Sequence, residues 1–449
     1  MKIPAFLVVL ALTACSAPGP LAPGASESLK IPARFDSTAP PVPQIASSLS
    51  SLFTDAALNA TVRRALAQNP DLRGSYARLE EAGFNTRKTS AALYPAVTAN
   101  ADAGRSTSAF IAESTAYAAS LDARWELDVW GRIRSGVSAA AADQAAAVAD
   151  FESARQSLAA QTMQAWFELV AAEKRLALGN RRLTSFTDTR DLVARRFELG
   201  TATFAELELT RTDYENARAD ISQLEDNRDQ AARVLRLLTG DYPDAQLSKS
   251  SWPALSRGVP VGVPSRLLLK RPDIDAAYQR LRAADSRVKV AHADLFPRFP
   301  LTASGGRSSR VLSDLASSTF DSWAVLASLS APVFDAGERR AELGAAGKRA
   351  EQALASYQAT VLAAFKEVED ALGSERLLRQ QETARLGALE AARSAESRSR
   401  RDYEAGVADL LNLLEAQRRV FNTEDQTISI HRARLQNRVA LALALGKGV

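Results

Sequence analysis

The chain has 449 residues, with 56 Lys and Arg against 52 Asp and Glu interspersed without long single-sign runs, which argues against a nucleic-acid groove. One cysteine excludes a disulfide framework, and two histidines in separate parts of the chain, His292 and His431, supply neither a zinc centre nor a serine triad. No enzyme activity, metal or cofactor is therefore expected.

Lys2, the apolar run from Ile3 to Leu12 and the tetrapeptide Leu12-Thr13-Ala14-Cys15 read as a secretory signal over residues 1–14, too short to span a bilayer. Residues 15–51 carry Pro18, Pro20, Pro23, Pro32, Pro40, Pro41 and Pro43 and read as an extended tether, with the folded body starting near Leu52.

Residues 55–92 are rich in Ala, Leu, Arg and Glu and predict helix, interrupted at Asn69-Pro70. The period then changes to two, predicting a hairpin over about 95–128. Val97, Ala99, Ala101, Ala103, Tyr117, Leu121 and Trp125 share one face, and Asn100, Asp102, Ser120, Asp122 and Arg124 the other. From 131 to 199 there is no proline, which predicts one helix roughly 100 Å long. Gly200 suits a helix C-terminus, and Thr203-Phe204-Ala205-Glu206 has capping-box spacing, predicting a new helix over 203–239. Thr210, Tyr214, Ala217, Ile221 and Leu224 give that helix a coiled-coil seam. Residues 241–265, with Trp252-Pro253, Pro260 and Pro264, read as an irregular, exposed linker.

The linker separates two copies of one unit, 52–240 and 266–446. Pro70-Asp71-Leu72, Arg78-Leu79 and Leu93-Tyr94-Pro95 return 202 residues later as Pro272-Asp273-Ile274, Arg280-Leu281 and Leu295-Phe296-Pro297. Phe197-Glu198-Leu199-Gly200 returns 206 residues later as Tyr403-Glu404-Ala405-Gly406. The second copy thus predicts a helix, a hairpin over about 297–335, a long helix over 337–405 and a helix over 409–445. Its apolar strand face includes Trp323, Val325 and Leu329, against Ser322, Ser328 and Ser330. A sheet covering a soluble core would alternate in the same way, but the flanking helices are too long to fold back over strands this short. Strands of about ten residues match tilted transmembrane segments, apolar outward and polar inward. Four strands cannot close a barrel, so several chains must share one, and three chains would give twelve strands.

Leu267 to Ile274, Ala291 to Pro297, Pro332-Val333-Phe334-Asp335-Ala336-Gly337, Tyr357 and Ala364 to Leu372 resemble hallmark segments of the outer-membrane factor family, the TolC- and OprM-like efflux channels. With Leu12 to Cys15 similar to a bacterial lipobox, the chain resembles the lipoprotein, NodT-like branch in particular. The resemblance implies a mixed α and β membrane protein, a homotrimer in which a 12-stranded outer-membrane β-barrel continues as a long α-helical coiled-coil barrel, with two structural repeats per chain. It implies acyl chains on Cys15 in outer-membrane lipid, with a periplasmic adaptor (membrane fusion) protein and an inner-membrane pump of the RND type as partners. The implied function is a passive exit duct for small molecules. Alternatives are the exit duct of a type I-like protein secretion system, or a periplasmic coiled-coil lipoprotein without a pore.

The resemblance also implies that the two helix-turn tips meet the adaptor through Phe197, Gly200, Thr201, Glu206, Tyr403, Gly406, Val407 and Asp409. It places Leu411 and Glu415 at a periplasmic gate, with Arg418 a turn further and Asn412 where many relatives carry Asp. Three copies would form a leucine ring and a carboxylate ring. The plainer role of the two glycines is helix termination, and that of Glu415 a solvated pair with Arg418. The acidic trio Glu367, Glu369 and Asp370 is expected to serve surface or interhelical pairing.

Overall fold

The computed structural model describes residues 19–25, 29, 32, 34–37, 48–108, 111–245, 250–255, 264, 270–316 and 321–448. Cys15 and Leu267 to Leu269 lie outside the described residues. The elements in chain order are α1 (Ala56–Gln68), α2 (Pro70–Ser90), β1 (Ala96–Ser108), β2 (Ile111–Leu127), α3 (Arg132–Glu198), α4 (Phe204–Leu238), α5 (Pro272–Ala293), β3 (Phe299–Ser309), β4 (Asp321–Ala327), α6 (Glu338–Glu404) and α7 (Leu410–Ala444). Helices α3 and α6 have 67 residues each, and α4 and α7 have 35 each, so the long helices of the two copies match at a constant offset.

The chain divides into two compact units, the first made of residues 1–29, 78–148 and 276–359 and the second of 30–77, 149–275 and 360–449. In the first, the strands form one antiparallel sheet in the order β1-β2-β3-β4, which leaves β1 and β4 as its edges. The register pairs Val97 with Ala123, Leu121 with Gly305, Trp125 with Leu301, and Val325 with Ala303. Val97, Tyr117, Leu121, Trp125, Leu301, Trp323 and Val325 therefore stand on one face. On the helical side, Ala284, Val288 and Ala291 of α5 pack against Ala346 and Ala350 of α6, small side chains that let the backbones approach closely.

In the second unit α1 stops at Asn69, whose ψ of 126° is the extended conformation that the following proline favours. The Asn69 amide then ties the copy's ends together, Nδ2 donating to Leu238 O at 3.0 Å and Oδ1 accepting from Leu72 N at 3.0 Å. In the second copy the equivalent residue is Arg271, which donates to Ala444 O at 3.2 Å and pairs with Asp273 and Glu367 at 2.6 Å each. The interior of this unit holds Met163, Trp166, Phe167, Phe186 and Leu372, all fully buried.

Two expectations are corrected. The 15–51 segment is not a free tether where it is described. Ala22 and Ala25 are buried, Leu49 is buried with its N–H on Gly448 O at 2.9 Å, and Asp285 and Glu369 accept bonds from its backbone. The described linker residues 250–255 are irregular but not exposed as a whole. Pro253 is buried, Trp252 meets the His431 ring edge-on at 5.1 Å, and Trp166 Nε1 donates to Ser251 O at 3.4 Å. Apolar aromatic surface keeps this segment on the helices where composition alone suggested a loop in solvent.

Candidate functional site

The two turns that join long helix to short helix carry most of the expected site residues. At the first, Gly200 has a φ of +71°, a left-handed conformation that glycine adopts without a Cβ penalty. Its N–H donates to Phe197 O at 3.0 Å, and the Thr201 N–H donates to Arg196 O at 2.8 Å, the paired bonds of a Schellman ending. Helix α4 then opens on a complete capping box. Glu206 N–H donates to Thr203 Oγ1 at 3.2 Å, and Thr203 N–H donates to Glu206 Oε2 at 2.7 Å. The Glu206 carboxylate is thereby committed to its own helix start.

The second turn repeats the ending but not the start. Gly406, at a φ of +75°, donates to Tyr403 O at 2.9 Å, and Val407 N–H donates to Asp402 O at 2.9 Å. Asp409 occupies the N-cap position, yet its side chain makes no capping bond. Helix α7 is fastened instead by burial, with Leu410, Leu413 and Leu414 packed on Val193 and Tyr403. Tyr403 is the correction here: expected as a tip contact, it is only 3% exposed. Arg196 covers its ring at 4.7 Å and donates from Nη1 to its carbonyl at 2.7 Å. Burial pushes the Tyr403 hydroxyl above its usual pKa, with Arg196 opposing and Glu206 adding to the rise.

Phe197, Gly200, Thr201, Gly406, Val407 and Asp409 are exposed, as are Leu199 and Phe204, which were not singled out from sequence. Leu199 and Val407 expose 78% and 76% of their surface. The signal that could have found Leu199 and Phe204 is the apolar residue on each side of a turn that would ordinarily be polar.

Leu411, Asn412 and Glu415 lie exposed on α7, Leu411 and Glu415 one turn apart. The expected pairing of Glu415 with Arg418 is not formed. Glu415 accepts from Arg419 Nε at 2.9 Å, and Arg418 reaches α4, where both oxygens of the largely buried Asp213 accept from Nη2 at 2.9 and 2.8 Å. Asp213 was invisible to sequence reasoning, because nothing local marks a carboxylate whose partner lies about two hundred residues away.

The sheet separates its faces. Leu121, Trp323 and Val325 are exposed to 59%, 82% and 73% on the apolar face, where Tyr117 and Trp125 also stand. Asn100, Asp102, Ser120, Asp122 and Arg124 share the other face, with Asn100 Nδ2 donating to Asp122 Oδ2 at 2.5 Å. Leu329 falls past β4, in the stretch leading to the bridge of Ser330 with Arg298. Leu326, exposed to 61%, is an apolar residue on the polar face that breaks the pattern. At the helix end of the sheet, Trp125 Nε1 donates to Leu93 O at 3.1 Å and Trp130 Nε1 to Pro297 O at 2.7 Å, while Tyr94, next to Leu93, and Val333 and Phe334, in the stretch after β4, stand exposed. Among the described residues no helix is long and apolar enough to cross a membrane, and no group of His, Cys, Asp and Glu could hold a metal ion.

A model of the outer membrane efflux protein family matches residues 61–241 and 263–447. The chain is 34% identical over 410 residues to the outer membrane protein OprJ of Pseudomonas aeruginosa, covering 89% of this chain and 85% of that one. It is 29% identical over 460 residues to the cation efflux system protein CusC of Escherichia coli K12, covering 100% and 99%. Among solved structures, the outer-membrane channel OprN superposes with a TM-score of 0.86 at 29% identity, covering 96% of this chain and 99% of that one.

Proposed function

The chain belongs to the outer membrane efflux protein family, and from that premise we propose that it forms the exit duct of a tripartite efflux system as a homotrimer. As a member of that family it is an outer-membrane transport protein and not an enzyme. The observation that carries the finer reading is the sheet with two free edges. Four strands whose apolar face exposes Trp323 and Val325 make sense in lipid only if β1 and β4 pair with strands of neighbouring chains, and three chains close a barrel of twelve. Trp125, Trp130 and Tyr94 at the sheet's helix end have the composition of an interfacial aromatic belt. Tyr117, Leu121, Trp125, Trp323, Val325 and Leu329 face lipid, and Asn100, Asp102, Ser120, Asp122 and Arg124 line the lumen.

Heat-resistant trimers in outer-membrane extracts are the expected result, and a purely monomeric species would overturn the assembly. Cysteines placed at Ser120 and Leu121 should differ in labelling by an aqueous thiol reagent, and equal labelling would reverse the faces. Cys15 carries the lipid, so labelled palmitate should enter the wild type and not Cys15→Ala.

The exposed tip residues, Phe197, Leu199, Gly200, Thr201, Phe204, Gly406, Val407 and Asp409, meet a periplasmic adaptor, and the duct opens toward an inner-membrane pump of the RND type. Leu411 and Glu415, on one exposed face of α7, form the resting constriction, an apolar ring beside a carboxylate ring, while Arg418 and Asp213 brace the helix behind it. Replacing both Leu411 and Glu415 by Ala should raise single-channel conductance, and unchanged conductance removes them from the gate. Substrate choice then resides in the pump and adaptor.

A further inference from the structure

The three acidic residues of the α6 cluster have three separate partners. Glu367 pairs with Arg271 and Asp370 with Lys366, whereas Glu369 faces the backbone of the N-terminal segment. Its Oε1 accepts from Asp36 N at 2.7 Å and its Oε2 from Ser37 N at 2.8 Å, one oxygen for each of two consecutive amides. Within the first unit the same arrangement recurs. Asp285 Oδ1 accepts from Leu21 N at 3.1 Å and Oδ2 from Ala22 N at 2.8 Å, and Asp285 is only 7% exposed. A buried carboxylate satisfied solely by a passing backbone costs desolvation that a surface ion pair would not, so it is held there by what it binds. Neither carboxylate belongs to the duplicated plan. The first-copy equivalents, 202 residues before Asp285 and 206 before Glu369, are Gly83 and the buried Met163, neither of which carries a carboxylate.

We propose that Asp285 and Glu369 are positioning residues that clasp the N-terminal segment as a strap, so that the anchor at Cys15 is delivered to a fixed place on the channel. Leu21 lies six positions beyond Cys15, so a docked strap confines the anchor to within about 20 Å of the Asp285 clasp. An undocked chain would allow Cys15 to wander several times farther. The consequence for Cys15 rests on the lipidation proposed above; the clasps themselves do not.

The docked strap can be trapped covalently. A Cβ built on Gly373 lies 3.7 Å from Ser37 Oγ, close enough for a disulfide after modest adjustment in the double variant Ser37→Cys, Gly373→Cys. In outer membranes under mild oxidant this pair should cross-link, and absence of the cross-link would overturn the docked strap. Adding Glu369→Ala should slow cross-linking about tenfold, with Glu369→Gln, which keeps one acceptor oxygen, in between. An unchanged rate in Glu369→Ala overturns the clasp. Tryptic cleavage after Arg34, which must draw several neighbouring residues into the protease, should accelerate about tenfold in both Asp285→Ala and Glu369→Ala. Wild-type cleavage rates in either variant overturn that residue's role. Repeating the cross-link with Cys15→Ala separates the two readings: a persistent disulfide without palmitate supports the clasps whatever carries the lipid, and loss of the disulfide shows that the anchor, not the carboxylates, holds the strap.

Discussion

The two copies of the unit keep the same backbone and fasten it differently. At the first tip, α4 begins with reciprocal hydrogen bonds between Thr203 and Glu206; at the second, α7 begins with an idle Asp409 and a buried cluster of Leu410, Leu413 and Leu414. The contrast continues inside the second unit. Where the second copy buries the ion pair of Glu375 with Arg438 at 2.7 Å, the matching positions of the first, 206 residues earlier, hold the buried Leu169 and Ala232. Features forced by backbone geometry survive duplication, because no other residue can supply them. Side-chain fastenings are interchangeable as long as every buried group is satisfied.

The strongest way to break that contrast is to remove half of the ion pair. Arg438→Ala leaves the Glu375 carboxylate, exposed to only 2%, without its main partner and should destabilise by about 3–5 kcal/mol, read as an earlier loss of helical circular dichroism on heating. The double change Glu375→Leu, Arg438→Ala copies the first copy's solution and should recover most of that loss. If the double variant is no better than the single, the two copies are not exchangeable at this layer.

Next come the glycines. Gly240 and Gly446 have φ of +76° and +66°, and a Cβ on each would meet a backbone oxygen, of Gln68 at 2.7 Å and of Lys270 at 2.8 Å. Gly240→Ala and Gly446→Ala should each cost about 2–3 kcal/mol in the same melt. Gly200→Ala meets nothing within 4 Å and should cost only the conformational penalty, about 1 kcal/mol. Equal effects at Gly200 and Gly240 would mean that close packing is irrelevant there.

The capping difference gives a smaller effect. Thr203→Ala should cost about 1 kcal/mol, and Asp409→Ala no more than a few tenths, from the charge at a helix start. Comparable losses at both positions would erase the distinction between the tips.

The smallest effect is in acid. Burial alone would raise the Glu382 carboxyl, but bonds from His431 and Arg434 outweigh it and hold the group below its ordinary 4.5. A lowered folded-state pKa means stability that is complete above about pH 4.5 and is lost as the pH falls through the folded value. Glu382→Gln should therefore flatten the acid side of the stability profile. The first copy, with Leu176 at that position, supplies no such dependence.

Much of this molecule was legible before any coordinates. The repeat, the helix break at Asn69-Pro70, the paired glycines at the tips, the Thr203 and Glu206 box and the strand alternation are local patterns, each fixed by sterics or by bonds within a few residues. The candidate site was legible only as positions. That Tyr403 is buried under Arg196, that Arg418 answers Asp213 and not Glu415, and that Glu369 and Asp285 hold backbone amides were not to be read there. Those pairings join residues some two hundred or more positions apart. A residue's periodicity states which face it occupies and is silent on what that face meets.

By itself, then, the amino-acid order determined where helices start and stop, which strand residues share a side, and that one plan is written twice. Only tertiary packing decided which side chains are spent on internal fastening and which are left free at the tips, and that the proline-rich segment is docked where it is described. The reason is physical: propensity and period act over one or two turns of chain, whereas burial and hydrogen-bond satisfaction are settled between elements that meet only in the folded state.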